Sequence, residues 1–212
     1  MIFMLLIPVS RSHQQVLNLE SRHESEAPVP LMLDLMLSGP ARGFSSDLDI
    51  LKVFSIFYQA DQHPESGASL WPSLAAYLER SQRKDPYFID TYRLACSLLA
   101  YDANMPEKAV QLVREGLPFL ESWDIPFLAG FIAHDKLHDD RLAFALMKSA
   151  AEMKNAPPLT LNLAFRFLSK AEGPEAAIAF LTKMARTLPK QYRKGIIKRI
   201  LQLKENRNES SD

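Results

Sequence analysis

The sequence predicts an all-α chain: a short right-handed α-solenoid of antiparallel helix pairs, with an N-terminal helical extension and a C-terminal capping helix. Three observations predict it. The composition is rich in Leu, Ala, Lys and Glu and holds only seven glycines, which disfavours an all-β fold. Ala109, Ala143 and Ala177 recur every 34 residues; the small residues Cys96, Gly130 and Ala164 run ahead of them at the same interval, and Val113, Met147 and Leu181 follow at it again. Prolines at 118, 158 and 189 close each unit. The physical reason is packing. Two antiparallel helices of about 14 residues and two short turns use roughly that length. A small side chain must recur where paired helices cross most closely, and a larger one fills the groove a turn later.

Taken in order, residues 1–30 form an apolar start and a polar linker, 31–84 diverged N-terminal helices, 85–204 the repeats and capping helix, and 205–212 a disordered tail. Leu31 to Leu37 reads as a short helix capping the open end of the array. After the turn at residues 39–44, Ser46 or Asp47 is placed to cap a helix through Leu48, Leu51, Phe54, Ile56, Phe57 and Tyr58. That helix is apolar over much of its circumference, which predicts burial on more than one side. A turn over Asp61 to Gly67 leads to a helix from Leu70 to Ser81, with Pro72 in its first turn. Ala75 stands 34 residues before Ala109, but Glu79 occupies the register of Val113, so this pair has diverged.

The first clear repeat opens at Asp85-Pro86, runs to about Asp102, turns over residues 103–106, and returns from Glu107 to Leu117. The second runs from Asp124 through Gly130, turns near His138-Asp139-Asp140, and returns from Leu142 to Met153. The third begins near Leu159, turns over Ala171 to Pro174, and returns from Glu175 to Thr187. Beyond Pro189, Ile196, Ile197, Ile200, Leu201 and Leu203 form the apolar side of a helix suited to cover the last open face.

These alanines, the small residues ahead of them and the closing prolines resemble the tetratricopeptide repeat (TPR) family over roughly residues 86–189. The resemblance implies a helical-repeat fold and a binding function. The family's tryptophan, glycine and tyrosine pattern on the first helix is largely missing here. Separately, Gly39, Arg42, Gly43 and Asp47 resemble the entry segment of some bacterial membrane-anchored TPR-like proteins, a likeness of about a dozen residues.

Composition bounds the function. With 47% hydrophobic and 24% charged residues and a formal net charge of zero, the chain is globular and its overall charge implies no nucleic-acid partner. Cys96 is the single cysteine, so it forms no intrachain disulfide and reads as a packing residue. Met1 to Val9 is apolar but too short to span a bilayer, which takes about 20 residues. It is either a segment tucked into the protein or the end of a membrane anchor beginning further upstream. Location is accordingly open between the cytoplasm and the bacterial inner membrane, and membrane association through the N-terminus stays among the readings. Residues 190–212 carry seven Lys/Arg against three acids; the leading reading is a capping helix, with contact to an anionic membrane or nucleic acid as alternatives.

No glycine-rich phosphate loop, nucleophile elbow or catalytic constellation is present, so no catalytic residue, cofactor or metal is assigned. The nearest lookalike is His134 and His138, four residues apart, which would share a zinc ion if they lay on one continuous helix. A metal-dependent hydrolase using these two histidines is therefore the alternative reading. The leading one is a non-catalytic interaction module, an assembly or scaffold factor associated with the envelope, that takes a partner peptide or helix in the concave groove lined by each repeat's first helix. Candidate lining residues are Asp90, Arg93 and Ser97, then Phe127, Phe131 and His134, then Leu161, Phe165 and Arg166. A single protein segment, or self-association into a homo-oligomer, suits so short an array.

Overall fold

The computed structural model describes residues 42–63 and 67–187, together with 197, 200 and 201. The chain divides into two compact units, Met1–Gly39 and Pro40–Asp212, and every described residue belongs to the second. The expected short helix at 31–37, the apolar start, the linker and the C-terminal tail lie outside the described residues.

The all-α expectation holds: the described residues form eight α-helices and no strand. They are α1 (Arg42–Gln62), α2 (Trp71–Lys84), α3 (Ile89–Leu94), α4 (Pro106–Gly116), α5 (Asp124–Asp135), α6 (Asp140–Glu152), α7 (Pro158–Glu172) and α8 (Pro174–Thr187). α3 widens without a break into a π-helical stretch, Ala95–Asp102, and α4 tightens into a 3-10 turn, Leu117–Phe119. Short turns join α3 to α4, α5 to α6 and α7 to α8 as pairs, and each pair packs on the next through α4 against α5 and α6 against α7.

The 34-residue interval is structural. Pro72, Pro106, Asp140 and Pro174 open or nearly open the second helix of each pair. Ala75, Ala109, Ala143 and Ala177 stand three residues further on, all with no exposed surface. The proline rings cost nothing in a first turn, where the N–H has no intrahelical partner, and Asp139 caps α6 by accepting from the Leu142 N–H at 2.9 Å. The turn inside each of the last three pairs uses a left-handed backbone residue: Asn104 (φ 51°), His138 (φ 53°) and Gly173 (φ 93°). Asparagine, histidine and glycine are types that tolerate this region.

Gly130 shows why small residues must recur ahead of the alanines. A Cβ added there would come within 3.0 Å of the Met147 side chain and 3.3 Å of the Ala143 carbonyl oxygen. α5 and α6 thus touch nearly backbone to backbone at this level. Cys96 and Ala164 are buried at the corresponding levels of the π-helical stretch after α3 and of α7, and Val113, Met147 and Leu181 are buried in register with them. Each fully buried side chain of that size contributes about 1.5–3 kcal/mol through its lost contact with water. In the first pair Glu79 replaces this apolar filler and instead reaches Lys108 of α4 at 3.0 Å.

The N-terminal pair departs from the sequence expectation in two ways. Ser46 and Asp47 do not cap α1, because the helix already starts at Arg42. Ser46 is buried mid-helix, its hydroxyl 2.7 Å from that of Ser81, which is in turn 2.7 Å from the Thr91 hydroxyl. Nearby, the Asp49 carboxylate meets Lys84 at 2.7 Å and Arg80 at 3.3 Å, and the Lys84 ammonium donates to the Ser45 hydroxyl at 2.7 Å. A hydrogen-bonded seam therefore joins α1, α2 and α3, since buried charges persist only when paired. Second, α1 buries one side only: Ile50, Val53, Ile56 and Ala60 face the core, while Phe44, Leu48, Leu51, Phe54 and Tyr58 are exposed.

The main core runs from α1 to α7. A second cluster of Phe165, Leu168, Ala177 and Leu181 ties α7 to α8, and Ile200 packs against it.

Tyr92 is fully buried and donates its hydroxyl to the Pro86 carbonyl at 2.7 Å. Its ring lies where a Cβ on Gly116 would sit, although Gly116 itself has an ordinary φ of −81°. Gly116→Ala is therefore expected to destabilise the chain by about 1–3 kcal/mol through overpacking alone, read as a lowered denaturation midpoint; an unchanged midpoint would mean that the ring does not fill this site.

Candidate functional site on the shared face of α3 and α5

The first helices of successive pairs lie close enough for their side chains to join. Arg93 on α3 donates to Asp90 on its own helix and to Asp124 on α5, both at 3.2 Å. Ser97 donates back to the Arg93 carbonyl at 3.0 Å. Asp124 also accepts from Ser122. Partial burial pushes the Asp124 carboxyl up, but the hydrogen bonds from Ser122 and Arg93 outweigh it, and the net result lies below the ordinary value. The same Asp124 contact holds the Arg93 guanidinium above its ordinary value.

Alongside this pair runs a ladder of rings. Trp123 and Phe127 meet edge to face with centroids 5.7 Å apart, and Phe127 and Phe131 follow at 5.5 Å. Phe127 is half-buried against the core, whereas Phe131 is 41% exposed. One turn beyond Ser97, Tyr101 is 52% exposed at the end of the π-helical stretch, with the Lys136 ammonium 4.9 Å above its ring. Such rings offer large contact area at low conformational cost, and the cations flank them.

The nine sequence candidates separate. Asp90, Arg93, Ser97, Phe127 and Phe131 come together on this face. His134 lies in the last turn of α5, with Nδ1 2.6 Å from the Asp140 carboxylate and its ring 4.6 Å from that of Phe167 on α7; it links three helices. Arg166 is exposed on α7. Phe165 does not line a groove: it is 4% exposed and belongs to the cluster between α7 and α8, against which Leu161 also packs. The ladder thus stops at α5. Trp123, Tyr101 and Lys136 were not among the candidates. Tyr101 had a signal, since the residues 34 and 68 positions on are Asp135 and Ser169; an aromatic in an otherwise polar register marks exposure with a purpose.

The turn also decides the two histidines. α5 ends at Asp135, so His138 stands in the turn with a left-handed backbone rather than one helical turn below His134. Among the described residues, no group of three His, Cys, Asp or Glu is placed to hold a metal ion. Burial pushes the Cys96 thiol up to about 12, so it stays protonated and unreactive at neutral pH. A separate open hollow of about 570 Å³ lies between the second helices α4 and α6, lined by Glu107, Gln111, Arg114, Leu137 and Leu142.

No protein-family model matches the chain, and neither does any curated protein or solved structure. Among the described residues no helix is long and apolar enough to cross a membrane.

The Asp124 shift has a measurable sign. A carboxyl with a depressed folded-state value adds stability that is fully present above its unfolded value and is lost as pH falls through the folded one. Denaturation midpoints are expected to fall as pH drops below about 4, and Arg93→Ala should flatten that part of the curve. A wild-type slope unchanged in the variant would show that the α3–α5 bridge does not operate in solution.

Proposed function

We propose that the chain is a non-catalytic, TPR-like helical-repeat module that binds a segment of a partner protein, as a scaffold or assembly factor. The segment lies across α3 and α5 as an extended peptide or a helix. The observation that carries this reading is the unpacked aromatic face. Phe131 is exposed on α5 and Tyr101 on the π-helical continuation of α3, with Arg93 bridging the two helices and Lys136 over the Tyr101 ring, while the matching residue of α7, Phe165, is buried as packing. Exposed aromatics set among cations, on a rigid scaffold, are the usual anchors of a protein interface. A partner supplying an apolar side chain to Phe131 and a carboxylate to Lys136 meets both chemistries. The carboxylate would add to the cation–π contact that already positions the ammonium.

The test compares three forms of the full chain as bait. A partner for this face is retained by wild type and by Glu107→Ala/Gln111→Ala, which alters only the hollow between α4 and α6. It is lost by Phe131→Ala/Tyr101→Ala, with affinity of the isolated pair reduced about tenfold or more. Both substituted positions are exposed, so helicity should be unchanged. Retention of every captured protein by Phe131→Ala/Tyr101→Ala, or selective loss with the hollow variant, would overturn the reading.

A further inference from the structure

The outer side of α1 carries a pattern that the fold does not use. Opposite its core-facing residues, Phe44, Leu48, Leu51 and Tyr58 are exposed by 66%, 46%, 64% and 65%. Ser55, half-buried, completes the line. The steps along this line are four, three, four and three residues, the spacing of a coiled-coil seam. It spans two full heptads on one helix. α1 packs chiefly on α2, so among the described residues this seam has no partner helix.

The residues flanking the seam say what fits it. Asp47 immediately precedes Leu48 and Lys52 immediately follows Leu51; both are exposed, and among the described residues neither forms an ion pair. In a parallel two-stranded coil, the residue before one seam position faces the residue five places later on the other helix. Applied to two copies of α1, this sets Asp47 of each against Lys52 of the other, twice by symmetry. An antiparallel arrangement instead brings each flank onto itself, so Asp47 shares a side with Phe54 and Asp61 and both charges are left unmatched. The seam is complementary to itself in one orientation only. A two-fold symmetric contact needs a patch that is complementary to itself.

We propose that α1 is a homodimer interface: two copies of the chain pair α1 in parallel through Phe44, Leu48, Leu51 and Tyr58, with reciprocal Asp47–Lys52 contacts. This surface is distinct from the α3–α5 face, and the two readings stand or fall separately. Ser55 in the seam limits its strength, so the dimer exchanges with monomer rather than being permanent.

Sedimentation of the full chain across a concentration series tests it. Wild type is expected to shift from monomer to dimer, and Leu48→Glu/Leu51→Glu to remain monomeric with unchanged helicity, since both side chains are exposed. Asp47→Lys and Lys52→Asp should each weaken the dimer, and the two together restore it. Orientation is read by mild oxidation of Phe44→Cys and of Tyr58→Cys, placed at the two ends of the seam. Both are expected to form cross-linked dimers, because parallel helices keep like positions adjacent along their length. A wild-type chain that stays monomeric overturns the proposal, as does a dimer that survives Leu48→Glu/Leu51→Glu. So does a monomer whose α1 variants lose binding to lipid vesicles instead, or cross-linking at one end of the seam only.

Discussion

The close approach of the two helices in each pair is the constraint from which the rest follows. At Ala109, Ala143 and Ala177 the second helix offers no side chain beyond a methyl group, and the matching positions Cys96, Gly130 and Ala164 on the other helix are also small. Backbones can then come near enough that Val113, Met147 and Leu181 fill the space one turn away without strain. Given that contact, the helix lengths and the turns have little freedom. The second helix must begin three residues before its alanine, which places Pro106, Asp140 and Pro174. The chain must reverse just before that point, which calls for the left-handed backbone at Asn104, His138 and Gly173.

This regularity governs what is exposed as well as what is buried. With the second helices committed to packing, the outward sides of α3 and α5 are free to differ between pairs. Arg93, Phe127 and Leu161 occupy one register, and Ser97, Phe131 and Phe165 the next. The same position is thus a salt-bridging cation, a half-buried ring or a packed aliphatic, according to what lies over it. At the C-terminal pair the register turns inward and closes the core. In the N-terminal pair, hydroxyls and charges do the joining instead, through the seam of Ser46, Ser81, Thr91, Asp49, Lys84 and Arg80. That seam fixes the orientation of α1 through directional bonds rather than through shape, and leaves the other side of the helix apolar and uncovered.

The architecture was legible in the sequence because repetition is a long-range signal. One matched alanine means little, but equal intervals of small and large residues fix pairing, register and turn positions together, and they located the helices from Asp85 onward. What was not legible depends on partners that the sequence does not order. α1 looks apolar all round as a string of letters; only its placement shows that Ile50, Val53 and Ile56 go inward while Phe44, Leu51 and Tyr58 do not. Ser46 has the residue type of a cap and the environment of a core hydroxyl, since its partner lies 35 residues away. At the site, Arg93, Ser97, Phe127 and Phe131 followed from their register. Phe165 did not, because the last pair folds its first helix against α8, with Ile200 packed on the same cluster. His138 reads as a ligand by spacing, yet it stands where the chain needs a left-handed turn.

The most direct test of the account is to enlarge the three alanines one at a time. Ala109→Leu, Ala143→Leu and Ala177→Leu, compared with Ala145→Leu and Ala179→Leu on the exposed side of the same second helices, would be followed by denaturant unfolding. The account predicts that each of the first three lowers stability by about 1–3 kcal/mol, because none of the crossings has room for the added carbons, and that the last two leave it within about 0.5 kcal/mol. Tolerance of leucine at any one of the three, to the degree seen on the exposed side, would contradict the claim that they hold equivalent places in successive helix pairs.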